Sequence, residues 1–393
     1  MKKISFLSAM LAVIFALYTY NTKSQTIVDE QTTSQQTNNI PAKDSTKIQV
    51  ALLLDTSNSM DGLIDQAKSR LWDIVNTLTT LKYKGVTPSI EISLYEYGND
   101  GLSKAENFIR QVTPMNNDLD LLSEKLFALR TNGGLEYCGA VIQRAVSDID
   151  WGTQESDMKL IYIAGNEEFN QGGVSYKESV AAALGKGIYV NTIYCGNREL
   201  GISELWQDGA TRGEGKYFNI DSDAKIRYIV TPYDDRIDAC NTILNNTYIG
   251  YGVLAEERTA NQAAQDSNAG SISKENKVSR AISKSKAVYK NDSWDLVDKY
   301  EKDKNAIKNL KESEMPKEYK GKSKVEIEAI VKEKQAERSK IQSEISELAK
   351  QRQAYIDAEM KKTDTDTGAD DLGKAINSSI IAFSKTKGYE IAE

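Results

Sequence analysis

Histidine is absent from this chain of 393 residues. Its absence excludes Ser-His-Asp and Cys-His catalysis and most zinc sites, because each of them depends on an imidazole. Cysteine is scarce as well: the chain has only Cys138, Cys195 and Cys240, and an odd number leaves at least one unpaired. The composition therefore argues against the commonest hydrolytic mechanisms.

Long apolar runs are missing except at the N-terminus, where one such run is typical of a targeting signal. Lys2 and Lys3 precede an apolar stretch that extends to about Tyr20, and small residues follow up to Ser24. This order predicts a signal peptide over residues 1–24 and an exported protein that is periplasmic, cell-surface or secreted. An uncleaved membrane anchor stays open as the alternative, because the run is just long enough to span a bilayer.

An excess of basic charge is also missing. The chain has 57 Asp and Glu against 50 Lys and Arg, a net charge of −7, so an exported chain without a recognition motif is not expected to bind nucleic acid. Its length predicts two domains. Residues 25–46 are rich in Gln, Thr, Ser and Asn and are predicted to form a flexible linker, since such a composition cannot bury a core.

The most informative segment that is present is an apolar run ending in a polar triplet. The run from Ile48 to Leu54 lacks strict polar alternation, which is typical of a strand covered on both faces in a parallel sheet. Ligands bind beyond the carboxyl ends of such strands, where Asp55 stands and Ser57 and Ser59 follow. One carboxylate with two hydroxyls suits Mg²⁺, Mn²⁺ or Ca²⁺. The alternative is that these residues only cap the next helix, although capping requires only one such side chain.

This Asp-x-Ser-x-Ser pattern resembles the opening of the metal-ion-dependent adhesion site (MIDAS) of von Willebrand factor A (VWA) domains. Further segments resemble that family in the same order: 90–98, 133–142, 160–167, 187–196 and 205–218. The resemblance spans about residues 47–230 and implies a VWA domain over 47–250. Alternating strands and helices independently predict the same class, an α/β fold with a doubly wound, mostly parallel sheet.

The resemblance also implies which side chains complete the metal site. Where the family has a Thr in its second loop this chain has Leu135, so Glu136 is the nearest oxygen-bearing side chain and Thr131 a more distant substitute. Where the family has an Asp in its third loop this chain has Asn166, so Asn166 or Glu167 would act directly or through water. The ligand set implied for Mg²⁺, or for Mn²⁺ or Ca²⁺, is therefore Asp55, Ser57, Ser59, Glu136 and Asn166. A solvated loop carboxylate at Glu136 and a turn-forming side chain at Asn166 are the alternatives.

The C-terminal part is predicted to be helical. After a polar linker at 251–276, residues 277–393 have helical periodicity and resemble the helical extension of some secreted bacterial VWA proteins. Residues 324–361 contain no Gly or Pro and follow an imperfect heptad seam that Lys334, Arg338 and Arg352 interrupt. A coiled-coil-like antiparallel hairpin, closed by residues 372–383, fits this seam better than an extended parallel dimer.

Together these features imply an exported, non-catalytic VWA protein. It would bind a protein partner through the divalent metal at the carboxyl edge of the sheet, with an Asp or Glu carboxylate of the partner completing the coordination sphere. One alternative is an envelope scaffold that interacts through its helical tail and has a degenerate metal site. A second is a carboxylate-based metal hydrolase, in which a hard ion with an open position activates water.

Two side-chain sets near the strand ends have open interpretations. Cys138 and Cys195 both follow elements expected at the ligand-binding edge, so they either form a bracing disulfide or are buried apolar thiols. The tyrosines near the same edge are either contact residues or core residues, and the one that precedes Gly98 is expected inside: Tyr95, Tyr97, Tyr137 and Tyr194.

Overall fold

A mostly parallel sheet forms the centre of the molecule. The computed structural model describes residues 46–362 and 371–391. Its strands are β1 (Lys47–Asp55), β2 (Leu81–Tyr83), β3 (Ser89–Tyr97), β4 (Ile109–Asn116), β5 (Met158–Gly165), β6 (Ile188–Cys195), β7 (Glu214–Ile220) and β8 (Tyr389–Ile391). The main sheet has the order β4-β3-β1-β5-β6-β7, in which only the edge strand β4 is antiparallel to its neighbour. β2 and β8 form a separate antiparallel pair.

Helices cover both faces of this sheet. In chain order they are α1 (Asp61–Thr79), α2 (Leu119–Ala128), α3 (Cys138–Asp148), α4 (Tyr176–Gly185), α5 (Arg198–Ser203), α6 (Trp206–Arg212), α7 (Asp234–Asn245), α8 (Ala255–Ile272), α9 (Lys274–Lys284), α10 (Leu296–Lys302), α11 (Ala306–Asn309), α12 (Lys324–Lys362) and α13 (Leu372–Thr386). The predicted class, a doubly wound α/β sheet followed by a helical C-terminal region, is confirmed.

The central strand β1 is buried on both of its faces, as its unbroken apolar run predicts. Val50 and Leu52 pack in one core cluster with residues of α1, α2 and α13. Ala51 and Leu53 point the other way and pack in a second cluster with residues of α3, α4 and α6. Because its neighbours β3 and β5 run parallel to β1, three strands end at the same edge of the sheet.

The segment predicted as a linker, residues 251–276, contains helix α8. α8 joins α2, α7 and α9 through a buried polar network, in which Arg280 lies between Asp120 and Asp266 at 2.7 and 2.6 Å. Lys284 lies 3.0 Å from the same Asp266. All described residues belong to one compact unit.

The predicted hairpin between the last two helices is wrong. α13 packs on α1 and on the sheet, with Ile376 and Ile380 in the same core cluster as β1. α12 packs instead on α7 and α10. The two arginines that interrupt its seam are buried against carboxylates: Arg338 bonds to Asp295 and Arg352 to Asp234, at 2.6 and 2.9 Å. Their acidic partners come from helices far away along the chain, which a heptad pattern cannot indicate.

The predictions for the N-terminus lie outside the described residues. These are the signal peptide over 1–24 and, except for its last residue, the linker over 25–46. Within 46–362 and 371–391, no helix has the length and apolarity that crossing a membrane requires.

Candidate metal centre

The first predicted ligands lie at the carboxyl end of β1, in the middle of the sheet edge. Asp55 is fully buried and Ser57 nearly so, whereas Ser59 is exposed. The backbone N–H of Ser57 donates to Oδ1 of Asp55 at 2.7 Å, which turns the chain back over the carboxylate. The hydroxyl oxygens of Ser57 and Ser59 then lie 3.2 Å apart. The triplet thus folds into a tight loop that gathers its oxygens above the strand.

Glu136 reaches the same place from the loop that precedes α3. Its side chain is buried, with only 3% of its surface exposed, so the alternative of a solvated loop carboxylate does not describe it. A methyl group placed on Gly98 would lie 2.7 Å from Oδ1 of Asp55 and 2.8 Å from Cγ of Glu136. The two carboxylates therefore lie side by side over the end of β3.

Two glycines make this approach possible. Asp55 is in register with Tyr97, so Gly98 is the residue beside the Asp55 carboxylate, and its φ of +77° is one that glycine adopts readily. Gly134 lies against the backbone of Gly98, since a Cβ there would be 2.5 Å from the Gly98 carbonyl oxygen. The loop that contains Gly133 and Gly134 thus rests on the end of β3, which brings Glu136 to Asp55.

The pKa values of Asp55 and Glu136 show that the buried pair needs either a proton or a cation. Burial, followed by the hydrogen bond with the Asp55 carboxyl, raises the pKa of Glu136 well above its usual range. Burial also raises the pKa of Asp55, although Glu136 and the Ser57 N–H act against this by hydrogen bonding. Two buried carboxylates this close cannot both ionise without a compensating cation, so without one they share a proton.

The third loop contributes Asn166. Its half-buried side chain lies beside Ser59, with the Ser59 hydroxyl 3.4 Å from Oδ1 and 3.2 Å from Nδ2. Neighbouring Glu167 is exposed, and its charge contributes to the raised pKa values of Asp55 and Glu136. The structure therefore brings together Asp55, Ser57, Ser59, Glu136 and Asn166.

Thr131, the substitute ligand from the second loop, points elsewhere. Its hydroxyl donates to the carboxylate of Asp61 in the first turn of α1. Helix capping does not account for the triplet either, because neither Ser57 nor Met60, the residues at the N-caps of the two successive helical segments, makes a side-chain capping bond. The triplet oxygens are thus not used up by the helix that follows them.

The residues fit a hard divalent cation. Oδ2 of Asp55 and Oε2 of Glu136 are buried, and apart from the proton that the two carboxyls can share, no N–H or O–H group donates to either. A buried charged oxygen without a partner is costly, and two carboxylates with hydroxyl and amide oxygens are the donors that Mg²⁺ and Ca²⁺ take. Among the described residues no cluster of three or more Asp, Glu, Cys or His side chains could hold a metal, so an ion here would rely on two carboxylates and neutral oxygens.

Sequence reasoning missed the support beneath the site. The Tyr97 hydroxyl donates to the Ala164 carbonyl at 2.9 Å, which links the ends of β3 and β5 across β1. Tyr97 is buried as expected, and Tyr95 and Tyr194 are buried too, so these three are core residues rather than a contact surface. Tyr137 is half-buried. The pairing of Asp55 with Tyr97 became visible only with the register of the strands.

The three cysteines are free and buried. The Sγ of Cys138 lies 3.8 Å from the Tyr97 hydroxyl, in the layer below the carboxylates. The structure therefore has the buried-thiol arrangement rather than a disulfide between Cys138 and Cys195.

No protein-family model and no curated protein matches this chain. Among solved structures it is similar to BatB from Bacteroides thetaiotaomicron, with 19% identity over 44% of this chain and 90% of that one and a TM-score of 0.34. It is also similar to an aerotolerance-related membrane protein from Bacteroides fragilis (16% identity, 45% and 93% coverage, TM-score 0.32). A third similar structure is the SpRpn10 VWA domain (12% identity, 45% and 88% coverage, TM-score 0.32). Similarities at this level carry no inference about function, and the fold class rests on the sheet itself.

Proposed function

We propose that this chain is a non-catalytic VWA-type protein that binds a protein partner through a divalent metal, Mg²⁺ or else Mn²⁺ or Ca²⁺, at the carboxyl edge of its sheet. The observation that carries the proposal is the pair of buried carboxylate oxygens of Asp55 and Glu136, to which no N–H or O–H group donates apart from the proton that they can share. They lie where ligands bind in parallel sheets.

In this proposal the ion's role is to bind a carboxylate of the partner at an open coordination position. Asp55 and Glu136 hold the ion and supply the negative charge that balances it. Ser57, Ser59 and Asn166 complete the set with neutral oxygens, directly or through water. Because these five side chains leave at least one of the ion's roughly six or more coordination positions open, an Asp or Glu side chain of a partner can bind there.

Calorimetric titration of the intact chain with Mg²⁺, Mn²⁺ and Ca²⁺ tests the metal site. Binding should be lost in Asp55→Asn and Glu136→Gln, because each replaces a ligating carboxylate with a neutral amide of the same shape. Glu96→Gln is the matched control: Glu96 is a buried carboxylate on β3 that pairs with Arg110, so its variant should bind like wild type. Binding by neither wild type nor control would favour the scaffold alternative, in which the metal site is degenerate.

The scaffold alternative cannot be tested by deleting the helical tail. Ile376 and Ile380 of α13 are fully buried in the cluster that contains β1, so removing the tail would expose the core. Surface substitutions on α12 are the appropriate test. The metal-hydrolase alternative predicts turnover of a hydrolysable substrate that disappears in Asp55→Asn, whereas our proposal predicts none.

A further inference from the structure

A second surface, separate from the metal centre, has the features of a ligand site. It is a cleft of about 2140 Å³ whose walls are α1, α9, α12, α13 and the segment between β7 and α7. Among the described residues, nine basic side chains line it against five acidic ones, in a chain whose net charge is negative. The basic residues are Arg70, Lys82, Lys225, Arg227, Lys286, Lys350, Arg352, Lys361 and Lys374.

Three of these lysines lie near one another, and among the described residues they have no acidic partner. Lys286, just after α9, is half-buried, and burial together with the nearby charges of Lys350 and Lys82 lowers its pKa. Within the described ranges, neither Lys286 nor Lys350 makes an ion pair with a carboxylate, and Lys82 bonds only to the hydroxyl of Thr87. Like charges near a half-buried lysine favour the binding of an anion at this place.

Two of the other six cationic side chains of the cleft have acidic partners, and the remaining four are exposed to solvent. Arg70 pairs with Asp73 and Asp371, at 3.1 and 2.6 Å, and Arg352 pairs with Asp234. These arginines are fixed by the fold and do not need a ligand. Lys286 differs from these residues, because it is half-buried and has no acidic partner within the described ranges.

The rest of the lining narrows the chemistry of the ligand. Apolar side chains form part of the wall, and among them are Ile282, Val288, Ile356 and Ile381. The lining also includes amide side chains, among them those of Gln353 and Asn377. A hydrocarbon chain has no polar groups for these amides, and a polyphosphate has no donors for them and no apolar surface. A peptide offers backbone N–H donors along its length as well as apolar and acidic side chains.

We propose that this cleft binds an acidic peptide segment of a partner protein, whose carboxylates contact Lys82, Lys286 and Lys350 and whose apolar side chains face the wall formed by α9, α12 and α13. The site is independent of the metal centre. It would give the protein two binding surfaces, one that needs a metal and one that does not.

Fluorescence anisotropy with a short labelled peptide of alternating acidic and aliphatic residues tests this proposal. The experiment uses the full chain in EDTA, so that carboxylate capture by a metal at Asp55 does not contribute. Wild type should bind the peptide, binding should weaken as salt is added, and a peptide with Lys in place of its acidic residues should not bind. The Asp55→Asn variant should bind like wild type.

Charge reversal locates the site. Lys286→Glu and Lys350→Glu should each weaken binding by about tenfold or more, as expected when one partner of a contact between opposite charges is reversed. Lys340→Glu is the control, because Lys340 is exposed on the same helix as Lys350 and does not line the cleft. A third variant, Lys286→Met, should lose binding while its unfolding midpoint stays the same or rises, since it removes a crowded buried charge.

Several results would overturn the proposal. One is equal weakening by Lys340→Glu, which would indicate a diffuse charge effect. Another is binding of inorganic polyphosphate or of anionic lipid vesicles without binding of the acidic peptide, which would assign the cleft to another class of ligand. No binding of the acidic peptide in EDTA would leave the cleft without the proposed role, whatever the metal centre does.

Discussion

The acidic side chains of Asp55 and Glu136 both lie against the same residue, Gly98. The Cβ that any other residue would place there lies 2.7 Å from Oδ1 of Asp55 and 2.8 Å from Cγ of Glu136. Two acidic side chains from distant parts of the chain are thus held against the same backbone atom, in a buried place where neither oxygen set is fully bonded.

Replacing Gly98 with alanine tests whether Asp55 and Glu136 press on this residue. Comparison with Gly85→Ala separates that contact from the backbone strain of a positive φ. Gly98→Ala should lower the free energy of unfolding by about 1–3 kcal/mol more than Gly85→Ala, because only the first would push on buried groups. Gly85 has the same φ of +77° and open space around it, so its variant reports strain alone. Denaturant unfolding measures both. Equal losses in the two variants would mean that the carboxylates do not press on Gly98.

Without a metal, the contribution of the Asp55–Glu136 pair to the free energy of unfolding should fall as the pH rises. Burial raises the pKa of Asp55 from 3.8 to about 6, and burial with the Asp55 hydrogen bond raises that of Glu136 from 4.5 to about 10. This pair therefore binds more protons in the folded protein than in the unfolded chain between these values, so its contribution to stability is greatest at the acidic end and declines through this window. Unfolding midpoints in EDTA at a series of pH values measure this slope.

Glu136→Gln is the partner experiment to that pH series. In EDTA it should be at least as stable as wild type near neutral pH and should show a flatter pH dependence, because the repulsion is gone. Added Mg²⁺ should stabilise wild type and not this variant. If Glu136→Gln is less stable than wild type in EDTA at every pH, the two carboxylates are not in conflict.

The buried arginine of α12 should be essential for the helical part. Arg338 bonds to Asp295 and Asp298 at 2.6 and 2.8 Å, and all three are nearly inaccessible to solvent. Arg338→Leu should cost about 3–5 kcal/mol, because it leaves two adjacent carboxylates buried without a cation. Adding Asp295→Asn and Asp298→Asn should recover part of this loss. Thermal or denaturant unfolding checks both, and a triple variant no more stable than Arg338→Leu would contradict the explanation.

The three thiols should react slowly in the native protein. Cys138, Cys195 and Cys240 are between 0% and 7% exposed, and burial is the main cause that raises the pKa of each. Alkylation followed by mass spectrometry should label them only after denaturation. A disulfide found in protein purified without reductant would show that the arrangement of free thiols does not hold.

The sequence was informative where local pattern decides structure. The unbroken apolar run of β1 predicted its burial on both faces, and the triplet at its end predicted where Asp55, Ser57 and Ser59 gather. Glu136 was placed by resemblance alone, since its burial depends on Gly98 and Gly134 meeting across two loops.

The helical part was less predictable, for a physical reason. Arg338 and Arg352 interrupt the heptad seam, and each pairs with a buried carboxylate. The heptad pattern alone does not indicate whether such a partner is present elsewhere in the fold. The prediction that α13 closes a hairpin on α12 failed because the apolar face of α13 fits the sheet as well as a helix partner. The helix at 255–272 was missed because its polar residues are buried in a network rather than against apolar side chains.

Crystals of the chain grown with Mn²⁺ give the most direct test of the central claim, because anomalous scattering locates the ion without assumptions. The account predicts a single strong peak between the carboxylates of Asp55 and Glu136, at roughly 2.0–2.5 Å from one oxygen of each, and next to the Ser57 and Ser59 hydroxyls. The absence of an anomalous peak there at saturating Mn²⁺ would contradict it, because Asp55 and Glu136 would then still share a proton instead of binding the ion.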